Sequence, residues 1–191
     1  MGITNNGALR FKHATPGFVF ATPIKGSGII DVAQGTTRLT GDSSAFTGQT
    51  NVADGLIVLG KLGGTTNVKP GGVLSGVGTL GDVVVAEGGT LAGRDADLLS
   101  MQSLTLDAGD AMSIQNSRTL TVNTGITNNG DLLLSSTGSL TRLYLGAPPT
   151  LGGSGRLLLG DNFNNSIRSL STLTQATLTN DTNHTIRGRG N

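Results

Sequence analysis

The sequence predicts an all-β fold, a β-solenoid with short coils of about 16–20 residues. Three observations predict it. The chain contains an internal repeat of about 16–17 residues. Short alternating strands lie between glycine or asparagine turns, and 31 glycines accompany only 3% aromatic residues. A narrow solenoid interior holds mid-sized aliphatic side chains, and its corners need residues that accept tight turns. We expect residues 1–191 to form a single such domain.

The repeat is read from three segments that align without gaps: NVADGLIVLG (51–60), NVKPGGVLSG (67–76) and VVAEGGTLAG (84–93). Their central glycines, Gly55, Gly71 and Gly88, recur at this interval and are expected to occupy turns. The period is too short for paired-helix repeats or propeller blades. It suits one coil of a solenoid whose neighbours stack about 4.8 Å apart. Pro70 and Gly71 fit the centre of a type II turn, because proline fixes φ and glycine accepts a positive φ.

Alternation of side chains along each strand predicts two inward-facing columns. The first is Val52, Val68 and Val85, and the second is Val58, Leu74 and Leu91. Ile57, Val73 and Thr90 fall between inward positions and are expected to point outward.

Short strands separated by turn residues continue after residue 94, and the string GITNNG occurs at both 2–7 and 125–130. Asn and Gly tolerate left-handed backbone, so Asn129 and Gly130 are predicted to form a corner, as is the matching string at the start. Residues 1–34 hold three of the five phenylalanines and two of the five prolines, and we expect irregular first coils that partly protect this end. The other end, with no amphipathic helix to cover it, is expected to fray or to associate with another molecule.

Three short motifs in the middle of the chain carry a resemblance to a known kind of repeat. Leu39-Thr40-Gly41, Thr47-Gly48-Gln49-Thr50 and Gly89-Thr90-Leu91-Ala92 stand where the autotransporter-associated β-strand repeat of Gram-negative passenger domains has the same pattern. Residues 35–95 therefore closely resemble that repeat, although it usually continues with Pro-Gly and this chain has Gly93-Arg94-Asp95. Residues 96–191 have a second repeat style, whose final part is similar to repeats of large bacterial exoproteins and haemagglutinin-like adhesins.

The resemblance implies a right-handed parallel β-helix that is secreted or displayed on the surface of a Gram-negative bacterium. Export would use an outer-membrane barrel, so we expect the chain to be a segment of a longer protein. Passengers of this family are mostly adhesins, aggregation factors and stalks, and the repeat is linked to their folding and secretion. The resemblance thus implies a non-enzymatic scaffold. Its partners would be a glycan or protein on a host or neighbouring cell, or another copy of the chain.

Composition limits the kinds of ligand and cofactor that the chain is expected to bind. A net charge of +1 gives no electrostatic basis for binding nucleic acid. The absence of cysteine excludes disulfides and thiolate metal sites, and no cofactor is expected. No apolar run approaches the roughly 18 residues of a membrane-spanning helix, so this chain is not expected to insert into a membrane.

Few residues suggest chemistry. GVGTLG (76–81) matches the dinucleotide fingerprint, but a strand rather than a helix is predicted to follow it. His13 and His184 are about nine coils apart on the predicted fold and are expected to be separate surface residues. The carboxylates of Asp95, Asp97, Asp107 and Asp110 are weak candidates for Ca²⁺ binding or acid-base catalysis, and solvated turn residues are the favoured interpretation. Arg187 and Arg189 could contact a sulfated glycan, although a solvated edge is favoured.

Two alternatives stay open. A polysaccharide lyase or glycosidase could use the same fold, and it would need carboxylates that converge in a groove on successive coils. A trimeric receptor binder of the phage tailspike type is the other.

Overall fold

A computed structural model describes residues 1–93, 99–146, 148–170 and 176–189, in which all regular elements are β-strands. The strands are β1 (Ile3–Thr4), β2 (Ala8–Lys12), β3 (Phe18–Phe20), β4 (Ile24–Lys25), β5 (Ile29–Gln34), β6 (Thr36–Leu39), β7 (Asp42–Ser43), β8 (Gln49–Val52), β9 (Gly55–Val58), β10 (Lys61–Val68), β11 (Val73–Gly76), β12 (Thr79–Val85), β13 (Thr90–Gly93), β14 (Ser100–Leu106), β15 (Ala111–Gln115), β16 (Thr119–Val122), β17 (Gly125–Asn128), β18 (Asp131–Ser135), β19 (Thr141–Leu145), β20 (Thr150–Gly152), β21 (Arg156–Leu159), β22 (Asn165–Ser169), β23 (Thr179–Asn180) and β24 (Thr185–Gly188). Within these described ranges no helix could cross a membrane.

The strands stack as a parallel β-solenoid of about 8 turns, which confirms the predicted fold class. Each coil has three strand positions, which we call faces. The first face contains β2, β5, β8, the second halves of β10, β12 and β14, and then β17, β20 and β23. The second face contains β3, β6, β9, β11 and β13, followed by β15, β18, β21 and β24. The third face contains β1 and β4, then β7, the first halves of β10, β12 and β14, and finally β16, β19 and β22.

Coil length can be read from one inward column of the first face. Its members, which pair in turn, are Leu9, Ile30, Thr50, Thr66, Val83, Leu104, Ile126, Leu151 and Asn180. The interval between successive members is about 20 residues in the first coils and about 16–17 residues between Thr50 and Val83. It then increases along the chain from about 21 residues to about 29 residues. The predicted coil length of about 16–20 residues therefore holds from the first coils as far as Val83. Later coils are longer because their corners are longer, while their strands stay short.

A second inward column on the first face contains the three valines predicted to stack. Val52 pairs with Val68, Val68 pairs with Val85, and all three are buried. The column also includes Phe11 and Val32 on one side and Leu106 and Asn128 on the other.

The predicted second column is wrong in register for one member. Leu74 pairs with Leu91 as expected, but its other partner is Leu56, whereas Val58 pairs with Gly76. The turn before β9 has two residues and the turn before β11 has four, so an alignment without gaps displaces the coils by two positions. Side chains alternate between the two sides of a strand, so a displacement of two residues leaves each side chain on the same side. Val58, Leu74 and Leu91 therefore all face inward, and all three are buried.

Three phenylalanines cluster at the first coil, where Phe11 is buried, Phe20 is half-buried and Phe18 is exposed. Phe11 pairs with Val32, Phe18 with Thr37 and Phe20 with Leu39, each within a column of smaller side chains. The ring centroid of Phe11 lies 6.3 Å from that of Phe18 and 5.1 Å from that of Phe20. The three rings lie together at this end of the aliphatic core.

Three stacked turns connect the first face to the second in the middle coils. In each, the amide of the fourth residue donates to the carbonyl of the first: Gly72 to Lys69, Gly89 to Ala86 and Asp110 to Asp107. Gly71, Gly88 and Gly109 hold positive φ angles of 78°, 79° and 85° at the third position, as a type II turn requires. Gly55 is not a turn residue, which corrects its assignment. It begins β9, where a Cβ atom would lie 2.6 Å from Thr36 Oγ1.

The second face changes sheet near the boundary that the sequence places at residues 95 and 96. A five-stranded sheet ends with β13 and a four-stranded sheet begins with β15. On the first face β12 pairs directly with β14, so the stack continues across this point.

Candidate functional site

The duplicated GITNNG string builds one half of a corner that spans two coils. In the first copy, Asn5-Asn6-Gly7 lies against Gly26-Ser27-Gly28 of the next coil. Asn5 Nδ2 donates to the carbonyl of Ile29 at 2.8 Å, and Asn6 Oδ1 accepts from the amide of Ser27 at 3.3 Å. Two backbone bonds complete it: the amide of Gly28 donates to Asn5, and the amide of Ile29 donates to Gly7.

The second copy repeats these contacts one for one. Asn128-Asn129-Gly130 lies against Gly153-Ser154-Gly155, and Asn128 Nδ2 donates to the carbonyl of Arg156 at 2.9 Å. Asn129 Oδ1 accepts from the amide of Ser154 at 3.2 Å. The amide of Gly155 donates to Asn128, and that of Arg156 donates to Gly130. We call each set of six residues a two-coil corner.

The first position of each Gly-Ser-Gly half of a two-coil corner must be glycine. Gly26 and Gly153 have φ angles of 104° and 97°, and a Cβ on either would lie within 2.4 Å of the asparagine carbonyl below. Gly130 has no positive φ, which corrects the left-handed backbone expected there. A Cβ on Gly130 would instead meet the Asp110 carbonyl oxygen at 2.3 Å. The sequence analysis found the Asn-Asn-Gly half and missed its Gly-Ser-Gly partner, although that string also occurs in both places.

His184 is buried, which corrects the expected surface position. Its Nε2 lies 3.1 Å from Asn128 Nδ2, and its Nδ1 lies 2.7 Å from Asn180 Oδ1. His184 lies one coil beyond Gly153-Ser154-Gly155, and Asn128 lies one coil before it. Because Gly153 and Gly155 have no side chains, the imidazole ring of His184 can reach the amide of Asn128 across the intervening coil. Burial lowers the pKa of His184 below its ordinary value. His13 is half-buried at the other end, where it contacts Thr37 Oγ1 at 3.0 Å and packs on Phe18.

Asp110 is also buried, and the solvated turn carboxylate expected there is wrong for this residue. Burial raises the pKa of Asp110, the nearby charges of Asp107 and Glu87 add to the rise, and a hydrogen bond from the Ala111 amide opposes it. Its Oδ2 has no hydrogen-bond partner within the described ranges. Asp110, Asn129 and Gly130 share a groove of about 340 Å³ with the ion pair of Asp131 and Arg156, in which Nε lies 2.7 Å from Oδ1. Asp95 and Asp97 lie outside the described residues.

We predict that Ca²⁺ does not stabilise this groove. Ca²⁺ needs several oxygen ligands that converge on one point, and no group of three or more His, Asp or Glu in the described ranges is arranged to hold a metal. Millimolar CaCl₂ should leave the melting temperature of the chain unchanged relative to MgCl₂ at equal ionic strength. A rise of several degrees that Asp107→Asn abolishes would show a calcium site instead.

The two C-terminal arginines and the glycine string at 76–81 lie away from this groove. Arg187 and Arg189 are exposed, and Arg189 Nη1 lies 3.1 Å from Asp161 Oδ1. The side chains of Arg189 and Asp161 line a concave surface of about 540 Å³ with Asn162 and Phe163. The glycine string at 76–81 connects β11 to β12, so a strand follows it and the geometry of a dinucleotide site is absent there.

The described ranges thus define a class of protein: a parallel β-solenoid with long outer faces, polar corners and shallow surface concavities. No family model matches the chain, and no solved structure matches it with significance.

One curated protein that the chain resembles is the "Adhesin BmaC autotransporter" of Brucella suis biovar 1 (strain 1330). The two are 37% identical over 89 residues, which is 44% of this chain and 3% of the length of that protein. The match and the solenoid fold fit an autotransporter passenger segment. They imply a protein that is secreted or displayed on the surface of a Gram-negative bacterium.

Proposed function

We propose that this chain is a non-enzymatic stalk and adhesin scaffold within an autotransporter passenger, and that it supports folding and export of that passenger. The observation that carries the proposal is a solenoid that runs through all the described ranges in a chain similar to an autotransporter adhesin. Parallel stacking supports the stalk role, because each coil adds about 4.8 Å of length and contacts mainly its neighbours.

The same geometry supports a role in export. A solenoid can grow one coil at a time, since each new coil finds a complete edge of backbone donors and acceptors on the previous one. The aromatic cluster at the first coil and the aliphatic columns after it form a core to which later coils are added. A glycan or protein on another cell, or a second copy of the chain, would be the partner on the outer faces.

Display on a non-adherent Gram-negative host tests both parts of this proposal. The chain would be fused to an autotransporter barrel, with the barrel alone as the control. Surface labelling measures export, and retention of washed bacteria on host cells and on bacterial lawns measures adhesion. We expect retention several-fold above the barrel alone, and less surface label when residues 35–93 are deleted. Retention equal to the control would contradict the adhesin role, and unchanged label after the deletion would contradict the export role.

A further inference from the structure

The corner between the second and third faces becomes longer along the solenoid. It has two residues between β11 and β12 and three between β15 and β16, but five between β18 and β19 and five between β21 and β22. We call residues 136–140 and 160–164 the paired loops. In repeat proteins, insertions on one side of successive repeats commonly form the binding side. The strands beside these loops keep their register, so the added residues serve the outer surface rather than the core.

Buried and half-buried amide side chains hold the paired loops in one conformation. Asn165 is fully buried, and its Nδ2 donates to the carbonyls of Gly160 and Asn162 at 2.9 and 3.1 Å. Its Oδ1 accepts from the amide of Ser136 in the neighbouring loop at 2.9 Å. Asn164 Nδ2 donates to the carbonyl of Gly138 at 2.9 Å and joins the two loops directly. A side chain carried by this framework meets a ligand with little loss of conformational entropy.

That framework presents an aromatic ring to solvent. Phe163 is 73% exposed, and Leu140 on the neighbouring loop is 47% exposed. Aromatic residues are only 3% of this sequence. Phe11 and Phe46 are buried, Phe20 packs against the core, and Phe18, at 39% exposure, packs on the rings of Phe11 and His13. An outward ring on a pinned loop is therefore unusual in this molecule, and exposed apolar surface of this kind marks an interaction site.

Polar groups of both kinds surround the ring. Asp161 supplies acceptors, Arg189 supplies donors and the Asn162 amide carries both, and these side chains line the 540 Å³ concavity with Phe163. The ion pair of Asp161 and Arg189 has side chains that are 80% and 84% exposed, so it contributes little to stability. Because the two charges neutralise each other, the concavity favours a neutral ligand over a sulfated one.

We propose that the paired loops and Arg189 form a binding site for a neutral saccharide, with Phe163 as the stacking surface. A pyranose ring has an apolar C–H face that stacks on an aromatic ring, and hydroxyl groups at its rim that need both donors and acceptors. The concavity is within the size range of small-ligand sites and accommodates one or two sugar units. This inference rests on the proposed adhesin function and names the ligand class of one surface.

An array of neutral and sulfated oligosaccharides tests the site, followed by titration of the bound sugars in solution. We expect neutral sugars to bind, Phe163→Ala to weaken binding about tenfold or more, and Phe163→Tyr to stay within about threefold of the natural chain. Val77→Ala is the matched control, since Val77 lies at the same corner in an earlier coil and is 47% exposed. It should leave affinity unchanged, and all three variants should keep the melting temperature of the natural chain.

Three results would overturn the site: no neutral sugar bound, Phe163→Ala binding as tightly as the natural chain, or binding of sulfated sugars alone. Failure of the site and failure of the adhesin role are separable. Displayed bacteria that adhere equally with and without Phe163→Ala contradict only the site. Sugar binding that depends on Phe163, in displayed bacteria that do not adhere, contradicts only the adhesin role.

Discussion

Replacing Leu74 with Asp should unfold the middle coils. Leu74 is fully buried between Leu56 and Leu91, so the new carboxylate would have no water and no partner within the column. Burying an unpaired charge is among the most destabilising changes known, and we expect a loss of more than about 4 kcal/mol in the free energy of unfolding. Leu74→Ala, which only removes apolar contacts, should cost about 2–5 kcal/mol and still yield folded protein.

The control lies one residue away on the same strand. Val73 is 38% exposed, so Val73→Asp places the same charge in solvent and should change stability by less than about 1 kcal/mol. Urea unfolding followed by circular dichroism compares the four chains. Equal midpoints for Leu74→Asp and Val73→Asp would mean that the inward column is assigned incorrectly.

Acidification should open the last coil at His184. Asn128 Nδ2 donates to His184 Nε2 and to the Arg156 carbonyl, while its Oδ1 accepts from the Gly130 amide. Exchanging the oxygen and nitrogen of the Asn128 side-chain amide would break the bonds to Arg156 and Gly130. Asn128 Nδ2 is therefore the donor, and His184 Nε2 must be the acceptor. Asn180 is fixed in the same way, because its Nδ2 donates to the His184 carbonyl. Only the neutral imidazole with its proton on Nδ1 satisfies both neighbours.

The direction of the pH effect follows from the lowered pKa. An unfolded histidine titrates near pH 6.5, and burial places the pKa of folded His184 below that value. The unfolded chain therefore binds more protons in the interval between the two, so stability falls as the pH decreases through it. The lost hydrogen bond from Asn128 would cost about 1–3 kcal/mol. Ionisable groups near this coil include Asp181 on the same turn, Arg187 within β24, Arg189 just after it, and the Asp131–Arg156 pair on the corner below.

Hydrogen exchange of the β24 amides at pH 7.5 and pH 5 measures this opening, after correction for the intrinsic dependence of exchange on pH. We expect protection to fall at pH 5 in the natural chain. His184→Gln keeps a neutral donor and acceptor, and should show the same protection at both pH values. Equal pH dependence in the two chains would contradict the role assigned to His184.

The parts of the fold that depend on alternation alone could be predicted from the sequence. All six column residues face inward, because an error of two positions in a strand preserves the side on which a side chain lies. The register between coils could not be predicted in the same way. Turn length sets it, and the four residues before Val73 can be counted only after the ends of both strands are known.

The candidate site was harder to predict for a related reason. Asp110 and His184 are polar residues next to turn residues, which is typical of solvent-exposed positions. Each is buried because glycine corners in neighbouring coils leave room beside it, and those glycines are distant from it in the sequence. Phe163 carries a signal that could have been used, since an aromatic residue within the polar string GDNFNNS does not fit a strand that faces the core.

The two-coil corner allows coils of this solenoid to contain different numbers of residues. One copy joins the third face to the first and the other joins the first face to the second, so its contacts do not depend on where in the coil it sits. The stretch of chain between the two halves is shorter in the first copy, from Gly7 to Gly26, than in the second, from Gly130 to Gly153. The intervening loops can therefore gain or lose residues while the corner closes unchanged. Recombination can therefore duplicate or move the two-coil corner without rebuilding its contacts. The same corner could be introduced by design where two coils of unequal length must stack.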